Sequence, residues 1–235
     1  MIHALLLLSL AVPQTGENVT ALLEAAMRNK SLIKTKAVLV SGTTVVLDDA
    51  QKAAGEHGAV KISGLLGTDG KIIEAHVALS SRSPTLDAST LAAVKAARFT
   101  PAKDANGNAI ATLYDESFQF ENFSDPGAGR GILQYRCEQF VRDEDWWSRT
   151  WPSEEPSYFY TMMRGMDVLL DVSSPDVQRS LQAEPTRPEK KQDFKIIWRS
   201  AIDGCRSNPN TPVIDMMGIV GRAARRLAQN RKGSM

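Results

Sequence analysis

Few residues in this sequence have chemistry to offer. They are Cys137 and Cys205, His3, His57 and His76, and the carboxylate run Asp143-Glu144-Asp145. Three His and two Cys are too few for the common structural zinc sites. An all-cysteine site needs more thiols, and a mixed site needs both Cys and two His in one place. A Cys–His nucleophile is disfavoured because the two thiols have each other to pair with. His57 stands beside Gly58, and His76 lies in an alternating segment on the side of Glu74. Both are read as solvated surface residues. Three neighbouring carboxylates on a helix point in different directions, so Asp143-Glu144-Asp145 is expected to be a solvated face, not a cation site. The chain carries no Gly-x-Ser-x-Gly, no His-Glu-x-x-His and no phosphate-binding glycine loop. Gly64-Leu65-Leu66-Gly67 reads as part of a hairpin, and no carboxylate pair stands out for glycoside hydrolysis. The expectation is a binding protein and not an enzyme, with no catalytic residues, no cofactor and no metal.

Charge narrows the partners. Lys and Arg total 28 against 27 Asp and Glu, a net charge of +1. That balance gives no electrostatic reason to expect nucleic acid or an anionic membrane surface. No run of 18 apolar residues offers a membrane span. Ala4-Leu5-Leu6-Leu7-Leu8-Ser9-Leu10-Ala11-Val12 is instead as long as a signal-peptide core, and Ser9-Leu10-Ala11 places small residues where a signal peptidase reads. Residues 1–11 are therefore expected to be a cleaved signal peptide and the mature chain periplasmic. Met1-Ile2-His3 lacks the usual Lys or Arg, and the competing reading is a buried N-terminal strand or helix turn. No Cys follows to carry a lipid anchor. Export puts Cys137 and Cys205 in an oxidising compartment, where an even pair forms a disulfide. The loop so closed is roughly 69 residues, and the chain-entropy relation gives it roughly 4.4 kcal/mol before strain.

The elements that position these residues fall into two halves. Phe123 to Gly131 holds three Gly and one Pro and is expected to be a linker, with boundaries 124–131. Before it, 12–123 reads as a small α+β domain. Val19, Leu22, Leu23, Ala26 and Met27 recur at helical spacing over 18–30. Ala37 to Leu47 reads as strand, interrupted at Ser41-Gly42, and Asp48 can cap a short helix running to Glu56. Val60, Ile62, Gly64 and Leu66 alternate with Lys61, Ser63 and Leu65, and Ile73, Ala75, Val77 and Leu79 alternate again beyond the turn Thr68-Asp69-Gly70. This predicts a hairpin with one buried face. Ser83-Pro84 opens a helix to about Ala97, Asn106-Gly107 turns, and Ala109 to Phe120 is the last strand. The order is strand, strand, helix, strand.

Gly58-x-Val60, Asp69-Gly70, Ser80-Ser81, Leu86-Asp87, Arg98-Phe99-Thr100-Pro101-Ala102, Gly107 and a strand ending in Phe120 resemble, in order and spacing, the TonB C-terminal domain family. The resemblance covers roughly residues 48–121. It departs from the family in one place, where Val46-Leu47 stands for the Tyr-Pro pair often found before the short helix. The segment's own physics agrees with it. Asp87 suits a helix start, Pro101 cannot continue the helix, and Phe99 and Phe120 anchor the returning chain. A three-stranded sheet has two edges, and the strand that comes last is expected at one of them. The resemblance implies that this edge takes up an extended peptide of an outer-membrane receptor by strand addition. Ile110, Thr112, Tyr114, Glu116 and Phe118 are then its partner-binding residues. Asp115 and Glu116 have a competing role as charges that keep edges from sticking together.

Residues 132–235 read as a helical module. Cys137, Phe140, Val141 and Trp147 mark one helix, and Phe159, Met162, Met163, Met166, Leu169 and Leu170 a second. Ser174-Pro175 opens a third with Val177 and Leu181, Phe194 to Cys205 forms a fourth, and Thr211-Pro212 starts a fifth through Leu227. The Met stripe suits a core, with a binding groove as its alternative. Cys137-Glu138-Gln139-Phe140 with a second Cys far along a helical exported module resembles the HdeA family of periplasmic chaperones. The expected protein is an exported adaptor with transport by analogy only, because force transmission requires an inner-membrane anchor and a long tether that the sequence does not display. The alternative is a periplasmic chaperone or inhibitor acting through the helical module.

Overall fold

The computed structural model describes residues 16–42, 44–121, 131–152, 155–173, 175, 181 and 192–230. The expected signal peptide, linker residues 124–130 and the start of the third predicted helix at Ser174 lie outside them. Helix α1 (Gly16–Asn29) occupies the first periodic segment, with Ala26 buried. Strand β1 (Val38–Ser41) ends at Gly42. Helix α2 (Asp49–Ala54) starts on a capping box. The Asp48 carboxylate accepts from the Gln51 N–H at 2.7 Å, and the Gln51 side chain accepts from the Asp48 N–H at 2.9 Å. Val46 is exposed and Leu47 buried, so one apolar residue of this pair enters the core ahead of α2.

Strands β2 (Gly58–Leu66) and β3 (Ile72–Leu79) form the predicted antiparallel hairpin. Gly70 makes the turn possible. Its φ is +77°, and a Cβ there would lie 1.9 Å from the Phe99 carbonyl oxygen. Helix α3 (Pro84–Ala96) begins as read, with the Ser83 hydroxyl accepting from the Leu86 N–H at 3.1 Å. The expectation of one buried hairpin face needs correction. In β2, Val60, Ile62, Leu65 and Leu66 are all buried, so both faces are covered. In β3 only Ala75 is buried, while Ile73 and Leu79 are exposed. The strand order β3-β2-β7 explains this, since β2 is central and β3 lies at an edge.

Beyond α3 the chain makes more strands than expected. They are β4 (Arg98–Thr100), β5 (Ala102–Lys103), β6 (Ala109–Ile110) and β7 (Thr112–Phe120). β4 pairs with β1, and β5 with β6 across the Asn106-Gly107 turn. The segment expected as one strand from Ala109 is thus β6 plus β7. Between them the Ala111 carbonyl accepts instead from the Asn29 side-chain amide at 2.9 Å.

The second half is helical, with α4 (Gly131–Gln134), α5 (Cys137–Thr150), α6 (Tyr158–Asp171), α7 (Phe194–Ser207) and α8 (Gly218–Asn230). The expected last helix from Thr211 is instead a 3-10 turn, Val213–Met216, followed by α8. Linker residue Gly131 already belongs to α4. Phe140, Phe159, Phe194 and Trp198 meet edge-on or tilted, with Phe140 and Trp198 centroids 5.1 Å apart. Met163 and Met217 are fully buried, and Met162 and Met166 pack against the same core. The Cys137–Cys205 disulfide joins α5 to α7.

The compact units do not follow the boundary expected near residue 124. One unit takes residues up to Val45, Lys61–Leu79 and Asp87–Ser117, and the other takes Val46–Val60, Ser80–Leu86 and Phe118 onward. Helix α2 is packed on α5 within the second unit. Gly55, at the end of α2 with φ +78°, sits so close to α5 that a Cβ would lie 2.8 Å from the Arg142 carbonyl oxygen.

Candidate functional site

Strand β7 is the edge on which the sequence reading placed a partner. It is nine residues long and, among the described residues, pairs only with β2 in its sheet. The opposite edge is partly occupied. The Phe99 N–H donates to the Gly70 carbonyl at 2.9 Å, and Arg98 bridges Lys71 just before β3 begins. Among the described residues β7 therefore offers the longer row of unpaired main-chain groups.

The side chains of β7 alternate, and the structure changes which of the predicted residues face solvent. Thr112 and Tyr114 are buried, Ile110 and Phe118 are half-buried, and of that set only Glu116 is exposed. The Tyr114 ring meets Phe99 edge-on at 5.7 Å. Burial first, and then the charge of Glu116, push the Tyr114 hydroxyl up to about 12. Leu113, Asp115 and Ser117 are exposed on the other face. There Asp115 is held by Lys61 at 3.0 Å and by the Ser63 hydroxyl at 2.9 Å. These bonds keep its carboxyl below the ordinary aspartate range. Asp115 is thus an internal pin between β2 and β7, while Glu116 makes no ion pair among the described residues.

The Leu113 face also carries a cleft of about 390 Å³ that sequence reasoning missed. Leu23 of α1 contributes to it, with Leu65 and Leu113 as apolar wall and Lys61, Glu74, His76 and Asp115 as polar rim. The periodicity of α1 was legible, but not the surface that it would cover.

A second polar-aromatic arrangement lies in the other unit and corrects two expectations. His57 is not solvated. It is 4% exposed, with its ring 5.3 Å from Trp146 and 5.0 Å from Trp147. Its Nδ1 lies 2.8 Å from the Gly55 carbonyl, which can only accept, so the neutral ring carries its proton on Nδ1. Burial pushes its pKa down. Trp147 stacks on Trp151 at 4.9 Å, and the Arg82 guanidinium lies 4.3 Å above Trp151 while donating to the Thr150 carbonyl. Arg82 holds φ +63° to do so.

The carboxylates of α5 are not a solvated face either. Asp143 is buried, accepting from the Tyr135 hydroxyl at 2.7 Å and from the Arg142 guanidinium. Glu144 accepts from Ser157 at 2.7 Å, and Asp145 pairs with Arg206. Burial raises Glu144 to about 7 and Glu121 to about 8, each helped by the neighbouring carboxylates. Among the described residues, no group of three or more His, Cys, Asp or Glu is placed to hold a metal ion.

Residues 49–121, about a third of the chain, match the family described as the Gram-negative bacterial TonB protein C-terminal. No curated protein matches the chain. The family match over residues 49–121 supports a TonB-like role in the cell envelope. No helix of the described residues is long and apolar enough to cross a membrane.

Proposed function

We propose that this chain is a periplasmic binding or adaptor protein, not an enzyme, whose TonB C-terminal domain takes up an extended segment of an envelope protein along the outer side of β7. The observation that supports it most is the asymmetry of the sheet. Among the described residues β7 is nine residues long with only β2 beside it, while β4 meets the opposite edge just before β3 begins. Main-chain hydrogen bonds along such an edge give affinity, and alternate side chains give selectivity. A link to transport across the outer membrane follows by analogy with the family. Export by a cleaved signal peptide belongs to the same proposal, and the mass of the mature chain purified from cells tests it. A product starting near Val12 agrees, and an intact Met1 contradicts.

Proline substitution tests the edge. Pro removes one N–H and cannot sit in a paired ladder. Neighbouring N–H groups of a strand point to opposite sides, so Thr112→Pro and Leu113→Pro must differ. One hits the β2 ladder and unfolds the domain by circular dichroism. The other leaves it folded and abolishes partner binding. A folded Pro variant that binds like the unmodified chain rules out addition at β7. The rival surface, Met162 to Met166 on α6, is weakened by its packing against the core.

A further inference from the structure

The two faces of β7 present different chemistry at its open edge. On one face Glu116 is an exposed carboxylate with no ion pair among the described residues. On the other, the carboxylate of Asp115 is already engaged by Lys61 and Ser63 within the sheet. On that face β7 itself offers Leu113, 45% exposed, at its end of the cleft whose wall includes Leu23 and Leu65, while the polar rim residues Glu74 and His76 stand on β3. Leu113 and Glu116 are three residues apart, and side chains three apart on a strand lie on opposite faces. A strand added beside β7 would place one side chain opposite each, about 4.5–5.5 Å away between Cβ atoms.

We propose that the partner is an extended segment with an aliphatic residue three positions from a lysine or arginine, the cation opposite Glu116 and the aliphatic side chain opposite Leu113 at the mouth of the cleft. This rests on the strand-addition reading above and names the chemistry of its partner. An acidic segment is disfavoured at the same place, because like charges directly opposite each other destabilise a strand pair.

The probes are synthetic nine-residue peptides of Thr and Ser that carry one Val and, three positions on, Lys, Gln or Glu, with the reversed order for the antiparallel case. The full disulfide-bonded chain is titrated with each, and binding is read by calorimetry and by amide exchange of β7. The Lys peptide should bind roughly tenfold tighter than the Glu peptide, a sum of one favourable and one unfavourable cross-strand pair. Glu116→Lys should invert that order, and Leu113→Ser should weaken both peptides alike. Both positions are exposed, so circular dichroism should stay that of the unmodified chain. If all three peptides slow exchange in β7 equally and Glu116→Lys changes nothing, the cation preference is wrong and strand addition stands. Should peptides bind without slowing any β7 amide, or none bind up to millimolar concentration, both readings fall.

Discussion

The Lys61 ammonium lies 3.0 Å from the Asp115 carboxylate, across the ladder that joins β2 to β7. This pair decides how the two mid-strand acids are read. Asp115 belongs to the sheet's own pairing, and Glu116 is left as the charge that an incoming strand would meet. From sequence Glu116 was placed among the partner-binding residues, but both acids shared the competing role of discouraging edge-to-edge sticking. Register separates them, and register is not written in the alternation alone.

Removing the disulfide should be costly. Cys137 and Cys205 are both buried, and the bond closes a loop with sequence separation 68. Cys137→Ser with Cys205→Ser should lower unfolding free energy by up to about 4 kcal/mol. Urea denaturation of the oxidised chain and the double variant checks this. Superimposable curves would mean that the bond contributes nothing.

Cleavage near residue 126 should not separate two free domains. The second unit includes Val46–Val60 and Ser80–Leu86, among them His57, Gly55 and Arg82. A specific protease site placed at Pro126 should yield two pieces that still co-elute on gel filtration without denaturant. Two independently migrating folded pieces would contradict the interleaved division.

Stability should decline as pH rises from about 5 to 8, with His57 opposing that decline below pH 6.5. Glu144 and Glu121 have pKa values raised to about 7 and about 8 by burial, against an ordinary 4.5. Between about pH 4.5 and 8 the folded chain then holds protons that the unfolded chain has released, so stability declines as pH rises. His57 is lowered from 6.5 by burial, so its own contribution is lost as pH falls below 6.5, partly offsetting the gain from the two glutamates. Urea midpoints from pH 5 to 8 read the balance. Glu121→Gln with Glu144→Gln should flatten this decline, and His57→Gln should steepen it below pH 6.5. Unchanged slopes would remove these groups from the account.

Gly70→Ala should destabilise the hairpin by at least about 1–2 kcal/mol, the cost of a left-handed backbone for an L residue. The clash of the new Cβ with the Phe99 carbonyl adds to it. Phe140→Ala, at a fully buried position, should cost about 3–5 kcal/mol. Thermal melts rank the two, and the order Phe140 above Gly70 is expected.

Much of the fold was legible because its signals are local. The Asp48 cap, the Asp69-Gly70 turn and the Ser83-Pro84 helix start depend on neighbours along the chain. So do the helical faces of Phe159 to Leu170 and Phe194 to Cys205. The misses are contacts between distant segments. His57 looked like a surface residue because its cover, Trp146 and Trp147, comes some ninety residues later. Asp143 is a nearer miss: its partners Tyr135 and Arg142 lie within eight residues, but which side of α5 turns inward is decided by packing, not by the local pattern. Strands β4 and β5 were hidden because two or three residues carry no periodicity. In the candidate site the edge itself was predicted from strand order. Which side chains face out was not, since Thr112 and Tyr114 turned inward and Leu113 outward.

The central claim is that an extended segment pairs with the outer side of β7. Amide hydrogen exchange of the full chain, with and without a saturating Val-to-Lys peptide, tests it most directly. The account predicts that every second amide from Thr112 to Ser117 slows at least about tenfold, the outward N–H groups alone gaining partners. Amides of α6 from Met162 to Met166 should keep their rates. Slowing confined to α6, with β7 unchanged, would contradict the account and move function to the helical unit.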